Sequence, residues 1–216
     1  MQATQATSPQ PPSPTRQSPF EKALTLIDTA HAQDPTPYHP PPSPSNPNPP
    51  PIPYELHYAN RMTAHLSRRA PSASERLQLA VRAQHFRRWE VPRSEYPMTR
   101  TGYHAWRTYL KKRQKEMVVR VCVEAGLGGE AEGVGRLVGK EGLGGAEEEV
   151  RILEDVACLV FLDDQFEEFE RGVEEEKMVG ILRKTWGKMT ARGRELALEI
   201  EMSERCRELA GKALAG

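Results

Sequence analysis

The 216-residue chain reads as all-α, a single helical-bundle domain of about seven or eight helices behind a proline-rich N-terminal arm and linker. Three observations point there. From Tyr54 onward apolar residues recur at the three- and four-residue intervals of a buried helix face, and no stretch holds the two-residue period of a half-buried strand. Ser18-Pro19-Phe20-Glu21 and Ser72-Ala73-Ser74-Glu75 have the form of capping boxes, the first with proline at the first helical position. Proline and glycine are segregated: sixteen of the nineteen prolines lie in residues 1–53, and all sixteen glycines lie after residue 101. The expected segments are an arm at 1–17, a helix at 18–34 docking on the body, a linker at 35–53 and an all-α domain at 54–216.

Residues 1–17 contain Ser, Pro, Gln and Thr with one charge, Arg16, which is too little apolar surface to offset the entropy of ordering, so this arm is expected to be disordered. Phe20, Ala23, Leu24, Ile27 and Ala30 then form one apolar stripe, which needs a partner surface. Eleven prolines between Pro35 and Pro53 predict an extended linker of polyproline II character. A second helix follows at 54–68, and a third starts at the second capping box and ends near Trp89. Pro92 and Pro97 bound a loop, and Gly102 opens a long helix through Ala125. Nine glycines in 126–145 surround a short apolar turn at Val134, Leu137 and Val138. The next helix starts near Ala146. Its stretch VRILEDVACLVFL, residues 150–162, is apolar at ten of thirteen positions, hence nearly all round, which marks it as central and buried. Two more helices are expected at 174–189 and 191–213.

Thirty bases balance thirty acids, so net charge gives no pull toward nucleic acid or an anionic membrane. No apolar run approaches the ~18 residues of a membrane span, and the N-terminus lacks the apolar core of a secretory signal. The three cysteines Cys122, Cys158 and Cys206 have no C-x-x-C spacing, which excludes a disulfide scaffold and a cysteine-rich zinc module. The expectation is an intracellular, cytoplasmic protein with neither membrane nor nucleic acid as partner; the sequence is silent on oligomeric state. Charge is nonetheless segregated. Residues 54–125 hold fifteen bases and six acids, a net of +9, and residues 126–176 hold four bases and sixteen acids, a net of −12.

The informative residues are polar groups inside apolar stripes, because burying one is unfavourable unless it is paired or bound. His85 and Arg88 share a face with Leu77 and Val81; Gln114 interrupts the stripe Tyr103, Trp106, Leu110, Met117, Val121; Asp155, next to Glu154, lies with Ile152, Leu159 and Leu162; Glu55 lies with Tyr58, Ala59 and Met62. One reading is a site between facing helices. His85 and Asp155 then hold one divalent metal ion, and Glu55 or Glu154 is a catalytic ligand or base. Arg88, Arg93 and Arg107, from the stretch HFRRWEVPRSEYPMTRTGYHAWR, clamp phosphate among aromatic rings that can stack a base. The expected partner is a phosphorylated small molecule or nucleotide, bound and, in the fuller form of this reading, hydrolysed. The alternative is a non-catalytic binding or scaffold module in which Asp155 or Glu154 holds an arginine such as Arg88 or Arg107 in a buried network.

The strings QHFRRWEVPRSEYPMTRTGYHAWR, LEDVACLVFL and EKMVGILRKTWGKMTARG resemble, in order, the family named domain of unknown function 4202. Some members of that family carry a glutamyl-tRNA synthetase label. Lys188-Met189-Thr190-Ala191-Arg192 is similar to the KMSKS loop of class I synthetases, while their HIGH signature and a Rossmann pattern are absent, and Thr190 reads as the N-cap of the final helix. The layout also resembles the HD superfamily of metal-dependent phosphohydrolases. That likeness puts Glu55 at a first ligand, Gln84-His85 at a paired motif that is His-Asp in those enzymes, and Asp155 at a final ligand.

Overall fold

The computed structural model describes residues 17–141 and 147–215, so the expected disordered arm, apart from Gln17, and the expected helix start at Ala146 lie outside the described residues. Ser18 forms the first capping box in full: its hydroxyl accepts from the Glu21 amide at 3.2 Å, and the Glu21 carboxylate accepts from the Ser18 amide at 2.8 Å. This starts α1 (Pro19–His31), whose Ala23 and Ile27 are fully buried. The helix lies on the body, with Lys22 Nζ donating to the Glu124 carbonyl at 2.7 Å.

The proline-rich stretch folds back on itself. Strands β1 (Pro37–Tyr38) and β2 (Ile52–Pro53) pair antiparallel, with Pro37 opposite Pro53 and Tyr38 opposite Ile52. The extended linker expected from composition is thus a short strap, and Tyr38 stacks on His57 with ring centroids 3.5 Å apart. Then come α2 (Tyr54–Arg69) and α3 (Glu75–Arg82). The cap of α3 is Ser74, whose hydroxyl accepts from Leu77 N, so the expected box at Ser72 does not form. After two single 3-10 turns, α4 (Arg100–Ala125) begins at the cap Thr99. The glycine-rich region contains α5 (Ala131–Val138).

Helix α6 (Glu148–Val160) is buried on both sides and contributes to two hydrophobic clusters. Val150, Leu153, Val156 and Val160 join the cluster built on α1 to α5, while Leu159 and the following Leu162 join a C-terminal one. This matches an all-round apolar helix. The chain continues through a π-helical turn, Phe161–Gln165, into α7 (Phe166–Glu170), then α8 (Glu175–Lys188), α9 (Ala191–Leu198) and α10 (Glu204–Leu214). The fold is all-α, with ten α-helices and one two-strand ladder among the described residues. The count exceeds the expected one because the apolar turn among the glycines is the helix α5, the π turn separates α7 from α6, and the C-terminal helix is broken where Ser203 caps a new start, its hydroxyl accepting from Cys206 N. None of the helices is long and apolar enough to cross a membrane.

Two consecutive acids, Asp163 and Asp164, sit in the π turn. Such turns interrupt an α-helix and are found often at functional sites. Here the two acids meet three α2 residues spaced four apart: His57 Nε2 to Asp164 Oδ1 at 2.6 Å, His65 Nε2 to Asp163 Oδ2 at 2.8 Å, and Arg61 paired with Asp163 between them. His65 Nε2 faces a carboxylate and so donates, which leaves Nδ1 without a proton and buried without a partner. Burial and the charges of Arg61 and Arg68 push this imidazole down to about 4.

Candidate functional site

Glu55 sits in the first turn of α2 with its carboxylate buried. One oxygen accepts from the amides of Arg88 and Trp89 at 2.7 and 3.2 Å, and the other lies 3.3 Å from His31 Nδ1. His31, the fully buried last residue of α1, donates Nε2 to the Arg82 carbonyl at 2.9 Å. Burial raises the Glu55 carboxyl, against the pull of His31 and the two amides. Glu55 therefore positions the 83–89 turn. α3 stops at Arg82 rather than near Trp89, and beyond it the Trp89 amide goes to Glu55 while the Arg88 amide is shared between Glu55 and the His85 carbonyl at 2.9 Å.

The backbone of that turn is strained. His85 and Arg87 have φ of 63° and 50°, and Lys140 has 53°; they are the three non-glycine residues with positive φ among the described residues. Side chains rarely occupy this region, and where they do the surroundings must enforce it. His85 stacks on Tyr58 with centroids 4.1 Å apart, and its Nε2 lies 2.9 Å from Arg88 Nη1. A guanidinium only donates, so Nε2 accepts and Nδ1 carries the proton of a neutral ring. Burial, followed by the charges of Arg88 and Lys140, holds His85 well below its ordinary pKa.

Glu55, His85, Arg88 and Arg107 all line one cleft of about 1050 Å³ between the strap, α2, α4 and the π turn. At its inner end a narrow recess is lined by His85, Arg88, Arg107, Lys111, Gln114 and Lys140. Four cations thus converge, and among the described residues none of them has a carboxylate within 4.0 Å. Each lowers the proton affinity of its neighbours: burial and Arg107 depress both Arg88 and Lys111, and bring the Lys140 amine down to about 8. Gln114, 7% exposed, turns into the same recess an amide nitrogen that has no hydrogen-bond partner. The outer cleft is walled by Tyr38, Tyr54, Tyr58, Trp89, Tyr103 and Phe161. Its nearer carboxylates are occupied, Glu55 by the Arg88 and Trp89 amides and Asp34 by the amides of Thr36 and Glu55, both at 2.9 Å.

Three of the residues singled out from the sequence stand elsewhere. Arg93 donates to the carbonyls of Tyr96, Pro97 and Thr99 and braces the proline loop, outside the cleft lining. Asp155 is fully buried but is held by Arg69 Nε at 2.7 Å and by Thr190 N and Oγ1 at 2.8 and 2.5 Å. The structure therefore does not bring it to His85, whose Nε2 is itself taken by Arg88. Glu154, half-buried on α6, acts on Lys140 and Lys111 through its charge but lines neither the cleft nor the recess. Among the described residues no three His, Cys, Asp or Glu side chains group closely enough to hold a metal ion. Sequence reasoning missed Lys111 and Lys140, whose charges look like ordinary solvated lysines. It also missed the His57, Arg61, His65 ladder, which four-residue spacing within a buried face could have flagged.

Replacing Glu55 tests its assigned role. Glu55→Gln keeps an acceptor for the two amides and is expected to stay within about 1 kcal/mol of wild type in urea unfolding, whereas Glu55→Ala orphans the Trp89 amide, leaves the Arg88 amide only the His85 carbonyl, and is expected to cost about 2–4 kcal/mol. Equal effects of the two substitutions would contradict a positioning role.

A model of the family described as Domain of unknown function (DUF4202) matches residues 21–210. No curated protein and no solved structure matches the chain.

Proposed function

The chain belongs to the DUF4202 family, a name that carries no chemistry, and from the cleft we propose that it binds a phosphorylated small molecule or nucleotide, with the phosphate in the recess of Arg88, Arg107, Lys111 and Lys140. The observation that carries this reading is the convergence of four cations, none of which has a carboxylate within 4.0 Å among the described residues. Burial first, and then the charge of Arg107, depress the proton affinities of Arg88, Lys111 and Lys140, and an anion in the recess offsets both. Phosphate suits the donor set: two forked guanidiniums that can bind in a bidentate way, two point charges, and an amide without a partner. A cleft of this size holds a ligand of nucleotide dimensions, and the aromatic outer wall offers faces for a planar group.

The reading stops at binding. His85 Nε2 and both oxygens of Asp155, the groups the sequence suggested for a metal-bound hydrolytic water, already have protein partners. That arrangement favours a binding module over a phosphohydrolase.

Calorimetric titration of the full chain with a phosphorylated ligand and its dephosphorylated counterpart, ADP beside adenosine, tests the proposal. ADP is expected to bind and adenosine to bind at least tenfold more weakly, and Arg107→Ala is expected to weaken ADP by about tenfold to a hundredfold, the loss of a charged hydrogen bond. Equal binding of ADP and adenosine, or an Arg107→Ala affinity unchanged from wild type, overturns it.

A further inference from the structure

The cleft is polarised along its length. All four cations line the recess, three of them (Arg88, Arg107 and Lys140) also line the outer cleft, and the π turn after α6 adds Asp164 and Gln165 to the outer cleft but not to the recess. Asp164 uses Oδ1 for His57, and Oδ2 takes no part in that bond. Gln165 donates its amide nitrogen to Tyr54 Oη at 2.9 Å, so its own carbonyl oxygen remains an acceptor. Two consecutive residues of one π turn thus offer acceptors to the cleft. Aromatic rings line the cleft as well, among them Tyr58, which stacks on His85 at the recess.

We infer that the cleft is built for a nucleotide whose base carries an exocyclic amino group, with its phosphate in the recess, its base among the aromatic side chains and its amino edge on Asp164 and Gln165. The inference rests on the proposed phosphate site and adds the identity of the other end of the ligand. An amino group supplies N–H donors to a carboxylate and an amide carbonyl. A base with an oxo group there keeps one ring N–H donor but points a lone pair at the acceptor that the second amino hydrogen would have met, and a site that bonds a donor discriminates against an analogue lacking it far more strongly than an apolar pocket does. The buried, unpartnered nitrogen of Gln114, a residue of the recess lining, is a separate sign of an absent acceptor at the phosphate end.

The experiment is titration of the full chain with inorganic pyrophosphate and with two pairs of nucleotides, AMP against IMP and CMP against UMP, in which an oxo group replaces the amino group and the adjacent ring nitrogen gains a hydrogen. AMP and CMP are expected to bind about tenfold or more tighter than IMP and UMP. Asp164→Asn, which can donate to a carbonyl, is expected to erase that preference while leaving pyrophosphate affinity unchanged. Because Asp164 also holds His57, Gln165→Met is measured beside it, with a reduced preference expected and an unaltered melting temperature as the folding control. Equal affinity for the members of each pair, with pyrophosphate still bound and lost in Arg107→Ala, overturns the amino-group inference and leaves the phosphate reading standing. Absence of any phosphate binding overturns both.

Discussion

Asp155→Ala is expected to lower the stability of the folded chain by about 3–5 kcal/mol, read as a fall in the urea midpoint at constant slope. Asp155 is completely buried, and its carboxylate joins three elements: Arg69 at the end of α2, its own helix α6, and Thr190 at the start of α9. Thr190 serves two purposes, since its hydroxyl donates to Asp155 and accepts from the Gly193 amide as the cap of α9. Removing the carboxylate leaves a mostly buried guanidinium without its ion pair and a backbone amide without an acceptor, and uncompensated buried charge is the costly case.

Gly193 gives an independent route to the same result. A Cβ there would overlap the Asp155 carboxylate, so Gly193→Ala is expected to destabilise by about 1–3 kcal/mol although it deletes no hydrogen-bonding side chain. Wild-type stability in Asp155→Ala combined with lost phosphate affinity would show the opposite, that Asp155 belongs to the ligand site.

The Asp155 network also shows how far sequence reasoning reached. A carboxylate inside VRILEDVACLVFL has to be paired, and it is, but with Arg69 rather than Arg88 or Arg107. Position along the chain says that a partner is needed and not which helix supplies it; that choice is made by α2 packing across α6. The all-α fold, the first capping box, the Thr190 cap and the central helix are local properties of hydrophobic period and side-chain chemistry, and these were legible.

The strap and the 83–89 turn were not legible, because long-range partners make them. Tyr38 lies where it does by stacking on His57, and beyond α3 Glu55 accepts from two amides of a segment more than thirty residues away. The candidate site divides the same way. Glu55, His85, Arg88 and Arg107 stood out as polar or arginine-rich interruptions of apolar pattern. Lys140, at the edge of a glycine-rich stretch, becomes a site residue only through the packing of α4 and α5 around the recess.

Lys140 supplies the second large effect: sulfate, an anion that does not titrate in this range, is expected to bind about a hundredfold more weakly at pH 10 than at pH 8. The amine titrates at about 8 in the ligand-free protein, because burial and then Arg107 disfavour its charge. An anion in the recess favours the charged amine and raises its pKa. Below about pH 8 the proton is already present and affinity is flat. Above it, binding must take up a proton, and affinity falls about tenfold per pH unit while the bound amine stays charged.

The sign for folding is opposite. The folded pKa lies below the ordinary lysine value of 10.5, so between about 8 and 10.5 the unfolded chain holds the extra proton. The destabilisation from this lysine is therefore fully present below about pH 8 and fades as pH rises toward 10.5. Ligand affinity and the stability contributed by this group move in opposite directions across one window, a pattern a solvent-exposed lysine cannot produce. Lys140→Arg keeps a positive charge throughout and is expected to flatten the affinity profile above pH 8 while preserving binding at neutral pH. A wild-type affinity that does not change between pH 7 and pH 10, or the same slope in Lys140→Arg, removes Lys140 from the anion site, and the recess would then rest on Arg88, Arg107 and Lys111.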